Sequence, residues 1–195
     1  SMERLAAQGM KFTNAYSCPL CSPGRTSLMT GKTSARHRVT NWTAVNAPTL
    51  NEYSGGLPHI RAPQWNMAGM SQQEIPLPRV LKDAGYRTIT VGKAHFAPSN
   101  QLYSNPANLG FDVNIAGCSA GQPASYRGED QFGSGNTHVP DLEEYYGTTA
   151  AEDRKRNFLT NALTLEMKKQ IKAAVDENAP FFAYMTHYAV HQRHD

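Results

Sequence analysis

The chain has 195 residues, a formal net charge of +3, 39% apolar residues and 18% charged residues. That length and composition fit one globular domain with a proper core and exclude a disordered polypeptide. The basic residues are scattered, so nothing calls for nucleic acid, and no stretch approaches the roughly 18 apolar residues of a membrane span.

Three cysteines form an odd, sparse set, which excludes a disulfide scaffold, and 15 glycines with 12 prolines point to long loops. Ser1-Met2 reads as an added leader, and the residues after it read as the middle of a helix. The far end, Gln192 to Asp195, stops directly after a strand-like segment. Both ends read as cuts, so a piece of a larger protein is expected.

Residues 5–8 predict the last turns of a helix, closed by Gly9. Residues 10–16 alternate apolar and polar and predict a short strand. After "SCPLC", Pro23 can open a helix, and residues 25–31 fit a short one closed by Gly31. Residues 33–76 carry many turn formers and no sustained period, which predicts a long, functional loop. Residues 78–85 predict an amphipathic helix, and the β-branched run at 87–91 a buried strand. Residues 97–157 are again loop-rich.

Residues 158–177 predict a long helix with Leu159, Ala162, Leu163, Met167, Ile171, Ala174 and Val175 on one stripe. Pro180 ends it and residues 181–185 predict the next strand. Helix then strand thus occurs three times, which predicts an α/β fold with a mostly parallel sheet flanked by helices. The site is expected at the carboxyl ends of the strands.

Three segments that follow those strands carry the reactive groups. The first holds Cys21 and Arg25. A helix starting near Pro23 puts Cys21 at its N-terminus, where free N–H groups and the dipole favour an anion. Arg25, one turn on, can point its fork at the same anion. The residues alone leave a merely solvated helix open as well.

The second segment is Gly92-Lys93-Ala94-His95. Lys93 and His95, two apart in extended chain, project to one side and suit an anion plus proton transfer, or simple surface decoration. The third holds His187 and His191, whose spacing would suit a metal on a helix. The strand-like run before them and the absence of a following carboxylate argue instead for one acid/base and one buried, structural histidine. Cys18 and Cys21 form a C-x-x-C, but Cys118 stands alone and no second ligand pair completes a zinc site.

Cys21-Ser22-Pro23-Gly24-Arg25, continued by Thr26 to Lys32, resembles the C-x-P-x-R signature of the type I sulfatases, within the alkaline-phosphatase-like superfamily. Gly92-Lys93-Ala94-His95 and the run from Pro180 to His191 are similar to two further segments of that family, in family order. The resemblance covers nearly the whole chain. It implies an alkaline-phosphatase-like sulfatase fold, with residues 1–195 a partial catalytic domain lacking the first metal-binding strand and the C-terminal part.

It also implies a sulfuric ester hydrolase in which Cys21 is converted to formylglycine by a maturation enzyme. The hydrated aldehyde would attack sulfur through one oxygen, and the other would let sulfate be ejected as the aldehyde re-forms. By the same resemblance Arg25 would stabilise the formylglycine, Lys93 would bind sulfate, and His95 would be the base. His191 would contact the sulfate or the leaving oxygen, and Ser125 would lie near the sulfate. Calcium is the implied cofactor. Its only ligand in this chain would be an oxygen of modified Cys21, the others being expected outside it, so the chain alone is expected to be inactive.

A sulfated glycan or small molecule is the implied substrate, and a periplasmic or secreted location the implied address. Trp42, Trp65, Tyr103, Tyr126 and Arg127 are candidate sugar contacts or loop packing. A phosphatase or phosphonate hydrolase of the same superfamily, or a non-catalytic binding domain, stands as the alternative.

Overall fold

The computed structural model describes residues 2–43, 67–147 and 156–191. In chain order the elements are α1 (Met2–Gln8), α2 (Cys21–Thr30), α3 (Ser34–His37), α4 (Leu77–Asp83), β1 (Arg87–Gly92), β2 (Val113–Ile115), α5 (Leu159–Asp176) and β3 (Phe181–Thr186). Short 3-10 turns fill much of the region between β1 and α5.

The three described strands form one sheet in the order β2-β1-β3, with both pairings parallel. Arg87 is paired with Phe181 and Gly92 with Thr186, so β1 and β3 run level over their whole length. Their carboxyl ends therefore finish side by side, which is where a parallel sheet places its site.

Alternation along β3 sorts its side chains to two cores. Phe181, Ala183 and Met185 pack with Ile89 and Val91 against Leu159, Ala162, Leu163 and Met167 of α5. Phe182 and Tyr184 pack on the other face with Phe96, Phe111, Leu109 and Met29, the last brought in by α2. A period of two in the strand thus ties α5 to one face and α2 to the other. Each fully buried leucine contributes about 1.5–3 kcal/mol by leaving water.

Several expectations are corrected by the fold. Residues 10–16 form no strand and are exposed throughout; alternation makes a strand only where a neighbour offers a ladder, and no described strand pairs with them. The sheet gains its third member instead from β2, three residues inside a region read as loop and too short to show a period. The helix expected from Pro23 starts two residues earlier, at Cys21. Pro23 is tolerated there because first-turn N–H groups have no helical partner to lose.

On α5, Val175 is 61% exposed, whereas Glu166 is buried and accepts a hydrogen bond from the Tyr145 hydroxyl at 2.6 Å. Residues 34–37 of the expected loop form α3, and its central part, with Trp65, lies outside the described residues.

Candidate active site

The N-terminus of α2 abuts the segments leaving β1 and β3. Cys21, its first residue, places Sγ 3.2 Å from Nδ1 of His95, 74 residues further on. His95 is 5% exposed and sits at φ 51°, a left-handed conformation that a non-glycine side chain adopts only under outside restraint.

The tautomer of His95 follows from its surroundings. Nε2 lies 3.3 Å from the carbonyl oxygen of Thr43, which can only accept, so Nε2 carries the proton. Nδ1 then presents a lone pair to Cys21. Burial first, then the charge of Lys93, pushes the His95 pKa down to about 4, with Arg25 and His191 adding to the fall and the Thr43 hydrogen bond opposing it. The imidazole is neutral at pH 7 and free to accept a proton on the side facing residue 21.

Lys93 follows β1 directly. It is 3% exposed, and its backbone N–H donates to the Thr186 carbonyl at 2.8 Å. Burial lowers its pKa to about 8; Cys21 opposes that fall and Arg25 adds to it. The Lys93 carbonyl accepts from Arg25 Nη1 at 2.5 Å and from Thr186 Oγ1 at 2.7 Å, so one oxygen joins α2, β1 and β3. Arg25 Nε is buried with no hydrogen-bond partner among the described residues. An unpaired guanidinium N–H beside a buried lysine is an unmet demand for an anion.

Gly92 makes this junction possible. Its φ is 104°, and a β-carbon there would fall 1.9 Å from the Thr186 carbonyl oxygen.

The site opens into a cavity of about 1090 Å³. Cys21, Arg25, His95, His191 and Tyr184 line it; Cys18, Leu20, Leu28, Trp42, Gln122 and Asn136 are among its other lining residues. Trp42 is 37% exposed. The pKa of His191 is lowered by burial and then by Lys93 and Arg25, so it too favours the neutral form.

Cys21, Arg25, Lys93, His95 and His191, expected together from sequence, thus come together, although Lys93 is enclosed rather than lining the cavity. Ser125 does not line the cavity: its hydroxyl donates to Asp130 at 2.7 Å and accepts from the Arg127 N–H at 3.0 Å. Tyr103 and Tyr126 are core residues, Arg127 pairs with Glu129, and His187 lies off the cavity. Thr43, Tyr184 and Gly121 escaped sequence reasoning, since a backbone carbonyl, a strand tyrosine and a loop glycine carry no spacing signal.

A divalent cation of the calcium type needs six to eight oxygen ligands, usually several carboxylates. Among the described residues no Asp or Glu lines the cavity, and no group of three or more His, Cys, Asp or Glu side chains able to hold a metal occurs. The described residues do not themselves make a calcium site. The C-x-x-C pair is not a disulfide either: all three cysteines are free, and Cys18 Sγ lies 2.8 Å from Ser34 Oγ.

The chain matches the Sulfatase family over residues 1–195. It is 34% identical over 200 residues to N-acetylgalactosamine-6-sulfatase of Mus musculus, covering 98% of this chain and 35% of that protein. To the Homo sapiens protein of the same name it is 39% identical over 115 residues, covering 57% of this chain and 19% of that protein. The chain thus spans between about a fifth and a third of the length of these curated relatives.

Among solved structures, the PsFucS1 sulfatase from Pseudoalteromonas sp. matches with a TM-score of 0.57 at 19% identity, covering 98% of this chain and 38% of that one. Ps i-CgsB in complex with k-i-k-neocarrahexaose matches at 0.56 and 21% identity, covering 89% and 35%. At such identities the likeness shows the shared fold, that of the alkaline-phosphatase-like sulfatases. By its match from first residue to last, this chain belongs to the sulfatase family.

Proposed function

We propose that the protein hydrolyses the sulfate ester of a carbohydrate, with residue 21 as nucleophile after conversion of Cys21 to formylglycine. One observation carries this reading: Cys21 Sγ, at a helix N-terminus, lies 3.2 Å from the bare Nδ1 of a neutral histidine, with Arg25 and Lys93 grouped around it. Cys21 Sγ marks the place of the modified residue's oxygens. Formylglycine, once hydrated, would supply one hydroxyl to attack sulfur, breaking the ester S–O bond and releasing the protonated sugar alcohol, and a second whose lost proton lets the C–O bond to sulfate break as the aldehyde re-forms.

This chain's own residues supply the rest. Arg25 Nε and the first-turn N–H groups of α2 hold the anion, and Lys93 balances its charge at close range. His95 Nδ1 takes the proton from a hydroxyl at residue 21, while Thr43 holds the proton on Nε2. His191, on the cavity wall, contacts the sulfate or the leaving oxygen. A sugar ring is accommodated in the remaining cavity, with Trp42 as an apolar face and Gln122 and Asn136 as hydroxyl partners.

The name shared by the mouse and human relatives favours a sulfated sugar over a simple aryl ester as the natural substrate. The same family likeness favours a formylglycine-generating enzyme as maturation partner and an exported protein, periplasmic or secreted. It also favours calcium, with ligands supplied from outside the described residues; the chain spans 35% of the mouse relative, and on its own it is expected to be inactive.

The test is ester turnover by the full-length protein produced with the maturation enzyme. Release of sulfate from a sulfated hexosamine, with phosphate monoesters and phosphonate diesters turned over more slowly, is expected. A preference for the phosphorus esters would transfer the assignment to a phosphatase or phosphonate hydrolase. Failure on every ester would leave a binding domain.

A further inference from the structure

His95 can accept a proton toward residue 21 only while its ring keeps one orientation and one tautomer. Its backbone at φ 51° offers no help, because that conformation relaxes unless it is held. The holding group lies next to Cys21 in sequence. Ser22 is 0% exposed; its hydroxyl donates to the His95 carbonyl at 2.9 Å and accepts from the Thr43 N–H at 3.2 Å. Thr43 in turn accepts from His95 Nε2 through its own carbonyl at 3.3 Å.

These contacts close a ring of three residues drawn from α2, the segment after β1 and the loop after α3. The fourth side is Gly121, where a β-carbon would fall 2.6 Å from Cε1 of the imidazole and 3.0 Å from each ring nitrogen. His95 is thus clasped at its backbone, at Nε2 and across its ring.

We propose that Ser22 is a positioning residue for the hydrolytic reaction, holding Thr43 where its carbonyl keeps the proton on His95 Nε2 and leaves Nδ1 open toward residue 21. The assignment of a reaction rests on the function proposed above; the clamp itself does not. Removing the Ser22 hydroxyl strands a buried carbonyl on His95 and a buried N–H on Thr43. Thr43 then moves away, Nε2 loses its acceptor, and the proton exchanges between the two nitrogens.

The direct test compares the wild-type protein with Ser22→Ala by long-range proton–nitrogen NMR of the histidine rings. In the wild type His95 should show one protonated nitrogen, Nε2, and one bare nitrogen, Nδ1. In Ser22→Ala the two nitrogen shifts should converge toward an average. In the matured full-length enzyme kcat should fall, by up to about a hundredfold as for a misplaced catalytic group, with KM changed far less.

A folded Ser22→Ala protein whose His95 keeps the wild-type signature would overturn the proposal. Should that variant fail to fold, the wild type decides alone. Its Thr43 amide, donor to Ser22, should exchange slowly with solvent, and rapid exchange there would overturn the clamp. A collapsed His95 signature in Ser22→Ala, together with a matured full-length wild-type protein that turns over no sulfate ester, would support the clamp and count against the function.

Discussion

Lys93 is a buried cation that the fold tolerates at a cost. Its pKa falls from 10.5 to about 8 on folding, chiefly through burial. At roughly 1.36 kcal/mol per pH unit, that fall corresponds to about 3 kcal/mol of destabilisation. Below pH 8 the lysine is charged in both folded and unfolded chains, and the whole penalty is present. Between about pH 8 and 10.5 the unfolded chain holds the proton and the folded one does not, so stability rises with pH. Above that window the penalty is gone.

Lys93→Met keeps the stem and removes the charge. It should therefore stabilise the anion-free protein by about 1–3 kcal/mol at pH 6, allowing for relaxation in the wild type. For a chain of this size that corresponds to a rise in Tm of roughly 2–10 °C. Thermal or urea melts at pH 6 and above pH 10.5, with and without inorganic sulfate, read the effect. Met should win at pH 6, the advantage should vanish above pH 10.5, and sulfate should raise the melting temperature of the wild type more than that of the variant, which keeps Arg25 and the N-terminus of α2. A Met variant less stable than wild type at pH 6, or stabilised equally by sulfate, would refute the reasoning.

Three further outcomes follow from the same geometry. With matured enzyme, kcat/KM should rise with pH through about 4 as His95 loses its proton and fall above about 8 as Lys93 loses its own, and a pH–rate profile flat across either limit would contradict the assignments. Gly92→Ala should destabilise by about 3 kcal/mol or more in urea denaturation, because its β-carbon meets the Thr186 carbonyl oxygen at a φ of 104°. Cys18→Ser should keep hydrolysis within about twofold, since a hydroxyl replaces the thiol beside Ser34 at 2.8 Å at a net cost of about 1 kcal/mol or less, whereas a loss comparable to that of Cys21→Ser would make Cys18 part of the chemistry.

The elements that sequence located are those with a sustained period. The stripe of α5, the β-branched run of β1 and the aromatic run of β3 each announce themselves over five residues or more. Residues 10–16 show the reverse case, in which a local alternation has no described strand to pair with. The short β2 is made by register with β1, from Ile89 opposite Val113 to Val91 opposite Ile115, and not by its own three residues.

The site divides in the same way. Cys21, Arg25, Lys93, His95 and His191 carry chemistry in their side chains, so motif spacing exposes them. Thr43 acts through its backbone, Gly121 through the side chain it lacks, and Ser22 through a hydroxyl indistinguishable in sequence from a helix-start serine. Only the fold brings those groups to His95, across 52 and 73 residues for the Thr43 carbonyl and the Ser22 hydroxyl. Ser125, expected near the anion, is committed to a local turn with Asp130 and Arg127.

The central claim is that residue 21 works as an aldehyde and not as a thiol. Mass spectrometry of the peptide spanning residues 17–28, from full-length protein co-produced with a formylglycine-generating enzyme, measures this directly. The peptide should be lighter by the difference between a thiol-bearing and an aldehyde side chain, with the change at Cys21 and Cys18 unaltered. An unmodified thiol at Cys21 under those conditions, with a control sulfatase converted in the same cells, would contradict it.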